Sequence, residues 1–206
     1  TVAICESLGA RVVQGDWQGY AATKNHANGL AKHDWILSID ADEVLNADLQ
    51  TAITALDLDD SGQVYKIKRK SNYCGHWVKY GNWNPDWKVR LFRREVAFWE
   101  GAFVHETIQY SRPVQECALD GECLHYTVQT PAQYRKQLDK FAELRAKEMH
   151  AAGQTISMLN AAAKALWEFL KGYVLKMGIL DGWVGWRIAV DNARGKWLRY
   201  RKLKAM

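Results

Sequence analysis

The strongest indication of the fold is the sequence Trp35-Ile36-Leu37-Ser38-Ile39-Asp40-Ala41-Asp42-Glu43. Its first five residues form a short apolar run, β-branched in part, which is typical of a buried strand. The run leads into a loop that holds three carboxylates. Open α/β sheets bind ligands at the carboxyl ends of their strands, so the stretch predicts an α/β protein with a site at that edge.

Helices and strands are predicted to alternate around this stretch. Residues 2–8 and 19–31 have helical patterns, and Asn46 is well placed to cap a helix that ends near Leu56. Strand, helix and strand in this order predict a parallel sheet. Further strands are expected at residues 11–13, 64–69, 88–92, 104–108 and 123–127, and a long functional loop at residues 71–87.

The chain is predicted to become helical from residue 130. Thr130-Pro131-Ala132-Gln133 has the pattern of a helix start, and Ser157 and Asp181 are candidate caps for two further helices. We therefore expect two parts, a partial catalytic domain at residues 1–129 and a basic, tryptophan-rich helical extension at residues 130–206.

The composition of the 206 residues is that of a globular protein with unevenly distributed charge. Residues 1–60 carry three Lys and Arg against ten Asp and Glu, whereas residues 131–206 carry fifteen against six. This asymmetry suggests a metal site and a surface that meets anions, although unevenly solvated charge would give the same pattern. The four cysteines lack metal-type spacing, which favours a reducing cytosol, and no apolar run is long enough to span a membrane.

Asp40 and Asp42 are the first candidates for chemistry. Two carboxylates in a D-x-D pattern after a buried strand repel each other, and a bound cation relieves the repulsion. Their hard oxygens favour Mg²⁺ or Mn²⁺, and the imidazole of His125, at the end of a later strand, would suit Mn²⁺. The alternatives are an acidic loop that caps a helix and a histidine with a structural role.

Glu106 is the candidate general base. The strand that holds Val104-His105-Glu106 would bring a carboxylate to the same edge of the sheet. An exposed, hydrogen-bonded His-Glu pair is the alternative. A set of cationic and amide side chains would hold a diphosphate near the metal, although each is also explained as an ordinary surface group. These residues are Lys24, Asn25, Arg90, Arg93 and Arg94.

The ordered set of motifs resembles the family 2 glycosyltransferases, and within them the bacterial lipopolysaccharide inner-core β-1,4-glucosyltransferase group. The similarity covers essentially the whole chain. It is carried by residues 15–20, Lys24-Asn25, residues 34–43, Tyr73-Cys74-Gly75, residues 90–94, Val104-His105-Glu106, Leu124-His125-Tyr126 and residues 180–183.

This resemblance implies a GT-A fold, which is Rossmann-like with a mixed sheet, and an inverting, metal-dependent transfer from a nucleotide-diphospho-sugar, with a UDP-sugar as the expected donor. It implies that Asp40 faces the ribose or the metal, Asp42 binds the metal, Glu106 is the base and His125 completes the metal site. It also implies that His105 and Gly81 help to bind the donor.

Family members begin with two strands and two nucleotide-binding segments that would precede Thr1. We therefore expect an N-terminally truncated sheet and a fragment that binds donor poorly or is inactive alone. The implied acceptor is a glycan or glycolipid hydroxyl in lipopolysaccharide-core or cell-envelope polysaccharide synthesis. The expected location is the cytoplasm, peripheral on the inner face of the bacterial inner membrane, with no nucleic acid as partner.

Two other classes of function fit parts of the sequence. A nucleotidyltransferase also uses paired carboxylates and a metal, but no glycine-rich phosphate loop is visible. An inactive basic module that binds a membrane or nucleic acid would explain the C-terminal extension. There Trp183, Trp186, Val190 and Trp197 follow helical spacing among many Arg and Lys, which predicts either contact with an anionic membrane or packing on the catalytic domain.

Overall fold

The computed structural model describes residues 1–58, 62–101 and 106–206. Its strands are β1 (Trp35–Leu37), β2 (Glu43–Leu45), β3 (Gln63–Tyr73), β4 (His76–Trp77), β5 (Asp86–Arg93), β6 (Ala97–Glu100), β7 (Thr107–Tyr110) and β8 (Gln115–Val128). The main sheet has six strands in the order β1-β5-β3-β8-β2, with β4 attached to β3. The strands β6 and β7 form a second, two-stranded sheet.

The helices lie before, between and after these strands. They are α1 (Val2–Ser7), α2 (Tyr20–Gly29), α3 (Ala47–Thr54), α4 (Pro131–Ala151), α5 (Met158–Leu170) and α6 (Gly182–Lys204). Two 3₁₀ turns, Gly81–Trp83 and Gly178–Asp181, and a π-helical turn, Lys171–Leu175, complete the regular structure of the described residues. This α/β arrangement with a mixed sheet and C-terminal helices confirms the predicted fold class.

The direction of the strands corrects the expectation of a parallel sheet. Among the described strands only β3 and β8 run parallel, whereas β1 pairs antiparallel with β5 and β2 pairs antiparallel with β8. β1 and β2, which the short loop of residues 38–42 joins, do not pair with each other. Their neighbours, β5 and β8, come from later segments of the chain, so the order of elements around β1 does not fix the strand direction.

The loop of residues 38–42 connects the two outer strands of the main sheet. It joins β1 at one edge to β2 at the other, and β5, β3 and β8 lie between them in the strand order. The loop begins beside β5, where the N–H of Ser38 donates to the backbone oxygen of Arg90, and it ends in a turn in which the N–H of Glu43 donates to the backbone oxygen of Asp40. Its carboxylates therefore lie beside side chains of β5 and β8: Asp40 beside Arg90 and Asp42 beside His125.

Other local predictions were wrong. Residues 11–13 form no strand, and the segment at residues 71–87 is no single long loop, because β3 continues to Tyr73 and a hairpin with β4 follows. Asp181 makes no side-chain cap for α6. Its carboxylate instead accepts hydrogen bonds from the backbone N–H groups of Lys79 and Tyr80. Asp181 therefore holds the segment after β4 against the helical extension.

Hydrophobic clusters cover both faces of the main sheet. Neighbouring residues on a strand point to opposite faces: Val64 and Phe92 belong to one cluster, and Tyr65 and Leu91 to the other. A third cluster joins the end of the sheet to the extension through Tyr134 of α4 and Ile188 of α6, among others. The helices are thereby packed onto the end of the sheet.

The predicted aromatic stripe of α6 divides into two parts. Trp183 and Trp186 near its start are exposed, whereas Trp197 packs against a buried cluster that includes Tyr200 and Leu203. Several cations of α6 are ion-paired: Arg187 with Asp191, Arg194 with Asp139, Lys196 with Glu168 and Lys202 with Glu143. No helix in the described part of the chain has the length and hydropathy that a bilayer-spanning segment needs.

Candidate functional site

Asp40, in the loop after β1, lies between two cations. Its Oδ1 is 3.1 Å from Nζ of Lys24 on α2, and its Oδ2 is 2.6 Å from Nη2 of Arg90 on β5. Burial raises the pKa of Asp40, but Arg90 and then Lys24 lower it more strongly, and the resulting pKa lies below the usual value. Asp40 is therefore held as a carboxylate.

Lys24 also binds the candidate base. Its Nζ lies 2.9 Å from Oε1 of Glu106, so one ammonium group bridges Asp40 and Glu106. The same nitrogen lies 4.5 Å from the ring centroid of Trp99, a cation–π contact that holds the lysine from another side. Three predicted site residues, Lys24, Asp40 and Glu106, are thus brought together.

Asn25 has a positioning role in this geometry. Its amide donates to the backbone oxygen of Trp99 and accepts from the backbone N–H of Trp99, both at 2.8 Å. These two bonds tie α2 to β6. Asn25 therefore helps to place Lys24 and Trp99 beside each other.

Glu43 is a site residue that the sequence reasoning missed. Its side chain is fully buried, and its Oε1 lies 2.5 Å from Arg90 and 3.1 Å from Arg69. Its Oε2 accepts a hydrogen bond from the backbone N–H of Asp40 at 3.0 Å. Glu43 thus fixes both the acidic loop and Arg90. Its position directly after D-x-D was the available signal.

Asp42 and His125 form a separate pair. Their Oδ2 and Nε2 atoms are 3.2 Å apart, and Nδ1 of His125 is 3.0 Å from the hydroxyl of Thr127. The antiparallel pairing of β2 and β8 creates this contact, because it sets Glu43 opposite His125 and bonds the N–H of Tyr126 to the backbone oxygen of Asp42 at 2.9 Å.

The predicted metal ligands therefore separate into two groups. Within residues 1–58, 62–101 and 106–206, no three His, Cys, Asp or Glu side chains form a group that could hold a metal ion. Asp40 is already neutralised by Lys24 and Arg90, whereas Asp42 is half exposed and makes its side-chain hydrogen bond to His125. Two side chains supply only part of a coordination shell, so a cation at Asp42 and His125 would need water and substrate phosphate as its other ligands.

The remaining predicted residues lie elsewhere. His105 lies outside the described residues. Gly81, with φ of +78°, donates its N–H to the backbone oxygen of Lys176 and packs against the helical extension, away from Lys24. Arg93 pairs with Glu95 and Asp34, and Arg94 with Asp34, so these two arginines stabilise the loop before β1.

The bridged carboxylates line a cavity of about 220 Å³. Its walls include Lys24, Asp40, Glu106, Arg90, Arg69 and Lys88. A neighbouring cavity of about 320 Å³ shares Arg69 and Lys88 and continues past His125 to aromatic side chains such as Trp83 and Tyr134. We call these two adjoining cavities the cleft, and both carboxylates and cations line it.

Arg69, Asp86 and Lys88 are further cleft residues that the sequence reasoning did not select. Nη2 of Arg69 is 2.6 Å from Oδ2 of Asp86, and Nζ of Lys88 is 3.2 Å from Oδ1. Burial raises the pKa of Asp86, but Arg69 and then Lys88 lower it by more than burial raises it. The resulting pKa lies below the usual value. Alternation along β3 and β5 was the only sequence signal for these side chains.

Comparisons with known proteins identify the family of the chain. The model of the family described as Glycosyl transferase family 2 matches residues 1–115. Among similar proteins, an uncharacterized glycosyltransferase of Rickettsia typhi is 28% identical over 217 residues, which span 100% of this chain and 74% of the relative. Those of Rickettsia prowazekii and Rickettsia bellii are both 27% identical, over 99% and 100% of this chain and 73% and 74% of their own length. The chain belongs to glycosyl transferase family 2, whose members transfer a sugar from a nucleotide-sugar donor to an acceptor.

Proposed function

We propose that this protein is an inverting hexosyltransferase that uses a UDP-sugar and a glycolipid acceptor, in lipopolysaccharide-core or related envelope synthesis. The observation that carries the proposal is the Lys24 bridge. One ammonium group joins Asp40 and Glu106 inside a cavity that Arg90 and Lys88 also line. A base and several cations are the groups that direct sugar transfer from a diphosphate requires.

Glu106 acts as the base in this mechanism. It accepts the proton of the acceptor hydroxyl while the hydroxyl oxygen forms a bond to the anomeric carbon. The bond from that carbon to the diphosphate breaks in the same step, and its electron pair goes to the diphosphate oxygen. Because the hydroxyl attacks from the face opposite the leaving group, the anomeric configuration inverts.

Cationic groups stabilise the departing diphosphate. Lys88 is the best candidate in the cavity, because its side chain is 47% exposed and its bond to Asp86 is long, whereas Arg90 is held between Asp40 and Glu43. Asp42 and His125 would hold Mg²⁺ or Mn²⁺, which supplies further positive charge to the diphosphate when bound.

An exposed apolar surface supports a membrane-bound acceptor. The end of α5, the π-helical turn and the start of α6 expose many large apolar side chains, which we call the apolar surface. Its members are Leu166, Trp167, Leu170, Val174, Leu175, Met177, Ile179, Leu180, Trp183 and Trp186. Monomeric soluble proteins seldom expose so many adjacent apolar groups without a partner.

The charges around the apolar surface favour anionic lipid as that partner. Both acidic residues of this region are already bonded: Glu168 to Asn82 and Lys196, and Asp181 to the backbone of Lys79 and Tyr80. Its cations include Lys171 and Lys176. Tryptophans and lysines beside aliphatic side chains are typical of helices that lie in a membrane interface. We propose that this surface docks on the inner face of the bacterial inner membrane.

A transfer assay tests the proposed function. The chain is incubated with radiolabelled UDP-glucose, UDP-galactose or UDP-N-acetylglucosamine, with Mg²⁺ or Mn²⁺ and with core-truncated lipopolysaccharide in vesicles. We expect label in the lipid fraction and release of UDP with one donor. A parallel incubation contains a nucleoside triphosphate and a sugar phosphate instead of the UDP-sugar. Release of pyrophosphate there, with no transfer to lipid in the first assay, would identify a nucleotidyltransferase.

A further inference from the structure

A cation-lined pocket lies in the helical extension. It has a volume of about 230 Å³ and lies between α4, α5 and α6. Its apolar wall includes Leu138 and Phe141, and its charged lining consists of Arg145, Glu168, Lys196 and Arg199. None of these residues has a part in the transfer step described above.

The positive charge of this pocket is only partly compensated. Three cations face one carboxylate, and that carboxylate, Glu168, lies 3.1 Å from Nζ of Lys196. Arg145 pairs with Glu148 at 2.6 Å. Arg199 is left without a hydrogen-bond acceptor or an ion-pair partner in the part of the chain that the structure describes.

The guanidinium of Arg199 has a buried nitrogen that lacks a hydrogen-bond acceptor within the described ranges of the chain, which is unfavourable for the fold. Its Nε is buried and has no acceptor among the described residues. Burial lowers the pKa of Arg199, and Arg145 lowers it further as a like charge, although Tyr200, Glu168 and Glu148 oppose the change. Buried donors are nearly always bonded in native proteins, so this Nε–H at the pocket is a donor that an acceptor from outside the chain would satisfy.

The pocket adjoins the aromatic cavity of the cleft. Leu138 and Phe141 line both this pocket and the aromatic cavity that contains Trp83, Tyr134 and His125. That cavity in turn shares Arg69 and Lys88 with the cavity of Glu106. The three cavities are thus neighbours in a row, with Glu106 at one end and the cations of the pocket at the other.

We propose that Arg145, Lys196 and Arg199 form a subsite for a phosphate or carboxylate group carried by the sugar acceptor, at the far end of the cleft from Glu106. This inference rests on the proposed function and adds that the acceptor is anionic. Guanidinium groups bind the oxygens of such groups in a bidentate manner, and the bond is stronger than one between neutral groups. The subsite would orient the acceptor so that one of its hydroxyls faces the base.

Titration with inorganic phosphate tests the pocket without any turnover. The Nε–H resonance of Arg199 is followed by NMR in the full chain during addition of sodium phosphate, sodium acetate or sodium chloride at equal ionic strength. We expect a saturable shift with phosphate or acetate that chloride does not produce. Equal shifts with all three salts would overturn the proposal.

Steady-state kinetics with varied acceptor test whether the pocket binds the anionic group of the acceptor. We expect Arg199→Gln to raise the acceptor KM about tenfold or more, as for loss of a hydrogen bond to a charged group, with little change in kcat or donor KM. Arg145→Gln provides a second variant should Arg199→Gln fold poorly, and Arg201→Gln, an exposed cation of α6 that does not line the pocket, is the control.

The remaining outcomes separate this inference from the proposed function. A changed donor KM with an unchanged acceptor KM would overturn it, as would weaker binding of Arg199→Gln to phosphatidylglycerol vesicles, since that would assign the pocket to a lipid headgroup. If no transfer is detected, the dissociation constant of the core oligosaccharide replaces KM. The proposed function then fails, whereas the binding of phosphate and of the oligosaccharide still tests whether the pocket is an anion subsite.

Discussion

The Nζ atom of Lys24 lies 2.9 Å from Oε1 of Glu106, a contact between residues that are 82 positions apart in the chain. Because Lys24 also binds Asp40, it places positive charge between two carboxylates that would otherwise repel each other. The bridge orients the proposed base and links it to the acidic loop. From the sequence alone, an ordinary surface cation was the favoured interpretation of Lys24.

The role of Glu106 predicts the effect of an isosteric change. In Glu106→Gln we expect kcat to fall by about 10²–10⁴, the usual contribution of a general base, while binding of the UDP-sugar measured by calorimetry is unchanged. Glu100→Gln is the matched control, because Glu100 is exposed at the end of β6. Turnover by Glu106→Gln at the wild-type rate would show that another group takes the proton.

The contact of Asp42 with His125 predicts a shared role in metal binding. We expect EDTA to abolish transfer and Mn²⁺ to restore it. Asp42→Asn and His125→Gln should each raise the Mn²⁺ concentration for half-maximal activity by about tenfold or more, as loss of a ligand or of its partner does elsewhere. Asp48→Asn, an exposed carboxylate of α3, should leave that concentration unchanged. Full activity in EDTA would exclude a metal requirement.

The close packing around Gly185 predicts that Gly185→Ala destabilises the protein, although alanine favours helix formation. A Cβ at this position of α6 would lie 1.8 Å from the backbone oxygen of Gly178. Alanine is better than glycine in helices by about 1 kcal/mol, but we expect Gly185→Ala to lower the free energy of unfolding by about 1–3 kcal/mol through overpacking. Gly29→Ala in α2, where nothing lies within 4 Å of a Cβ, should be neutral or slightly stabilising. Urea denaturation of both variants would measure the difference.

Glu122 predicts a pH dependence of stability. Its carboxylate binds Lys70 at 2.7 Å and Lys68 at 3.3 Å, and the bond to Lys70, only partly opposed by burial, holds the pKa of Glu122 below its usual value. A carboxylate with a lower pKa in the folded state stabilises the fold above its unfolded pKa of about 4.3, and the contribution is lost as the pH falls through the folded pKa.

We therefore expect Glu122→Gln to unfold at a lower urea concentration than the wild type at pH 7. The difference should shrink steadily as the pH falls below about 4.3. Asp120→Asn, an exposed change on the same strand, should have little effect at either pH. A difference that stays constant down to pH 2 would mean that the two lysine contacts contribute nothing through charge.

The apolar surface predicts binding to anionic membranes. We expect the chain to co-sediment with vesicles that contain phosphatidylglycerol, and Trp183→Ser or Leu175→Ser to weaken binding by about tenfold, as expected for loss of one buried apolar side chain. Trp17→Ser is the control, since Trp17 is 65% exposed but lies far from this surface in the chain. Failure of the wild type to pellet with such vesicles would refute the membrane part of the proposed function.

Local patterns in the sequence predicted the helix starts correctly. Asn46, Thr130 and Ser157 each accept the expected hydrogen bond from the backbone N–H three residues later, at 3.0 to 3.2 Å. Capping depends on neighbours within one turn, so a sequence motif contains all of the interacting groups. Asp181 is the exception, because the backbone of Lys79 and Tyr80 competes for its carboxylate.

Strand direction was less accessible from the sequence. The apolar run before Asp40 predicted a buried strand correctly, but its antiparallel partner, β5, begins far along the chain at Asp86. Pairing partners of this kind depend on distant segments and on the loop length between them. The sequence carries no local signal for that choice.

Sequence patterns were enough to predict the alternation of helices and strands, the family, and the residue types of the candidate site: paired carboxylates, a later glutamate, a histidine and several cations. The grouping of these residues depends on the folded chain. In the fold, Asp40 and Glu106 both pair with Lys24, and Asp42 contacts His125. Glu43 accepts a hydrogen bond from the backbone N–H of Asp40. The physical reason is that strand and helix packing brings together segments far apart in the chain, so that α2, β5 and β8 each place a partner beside a carboxylate of the loop between β1 and β2.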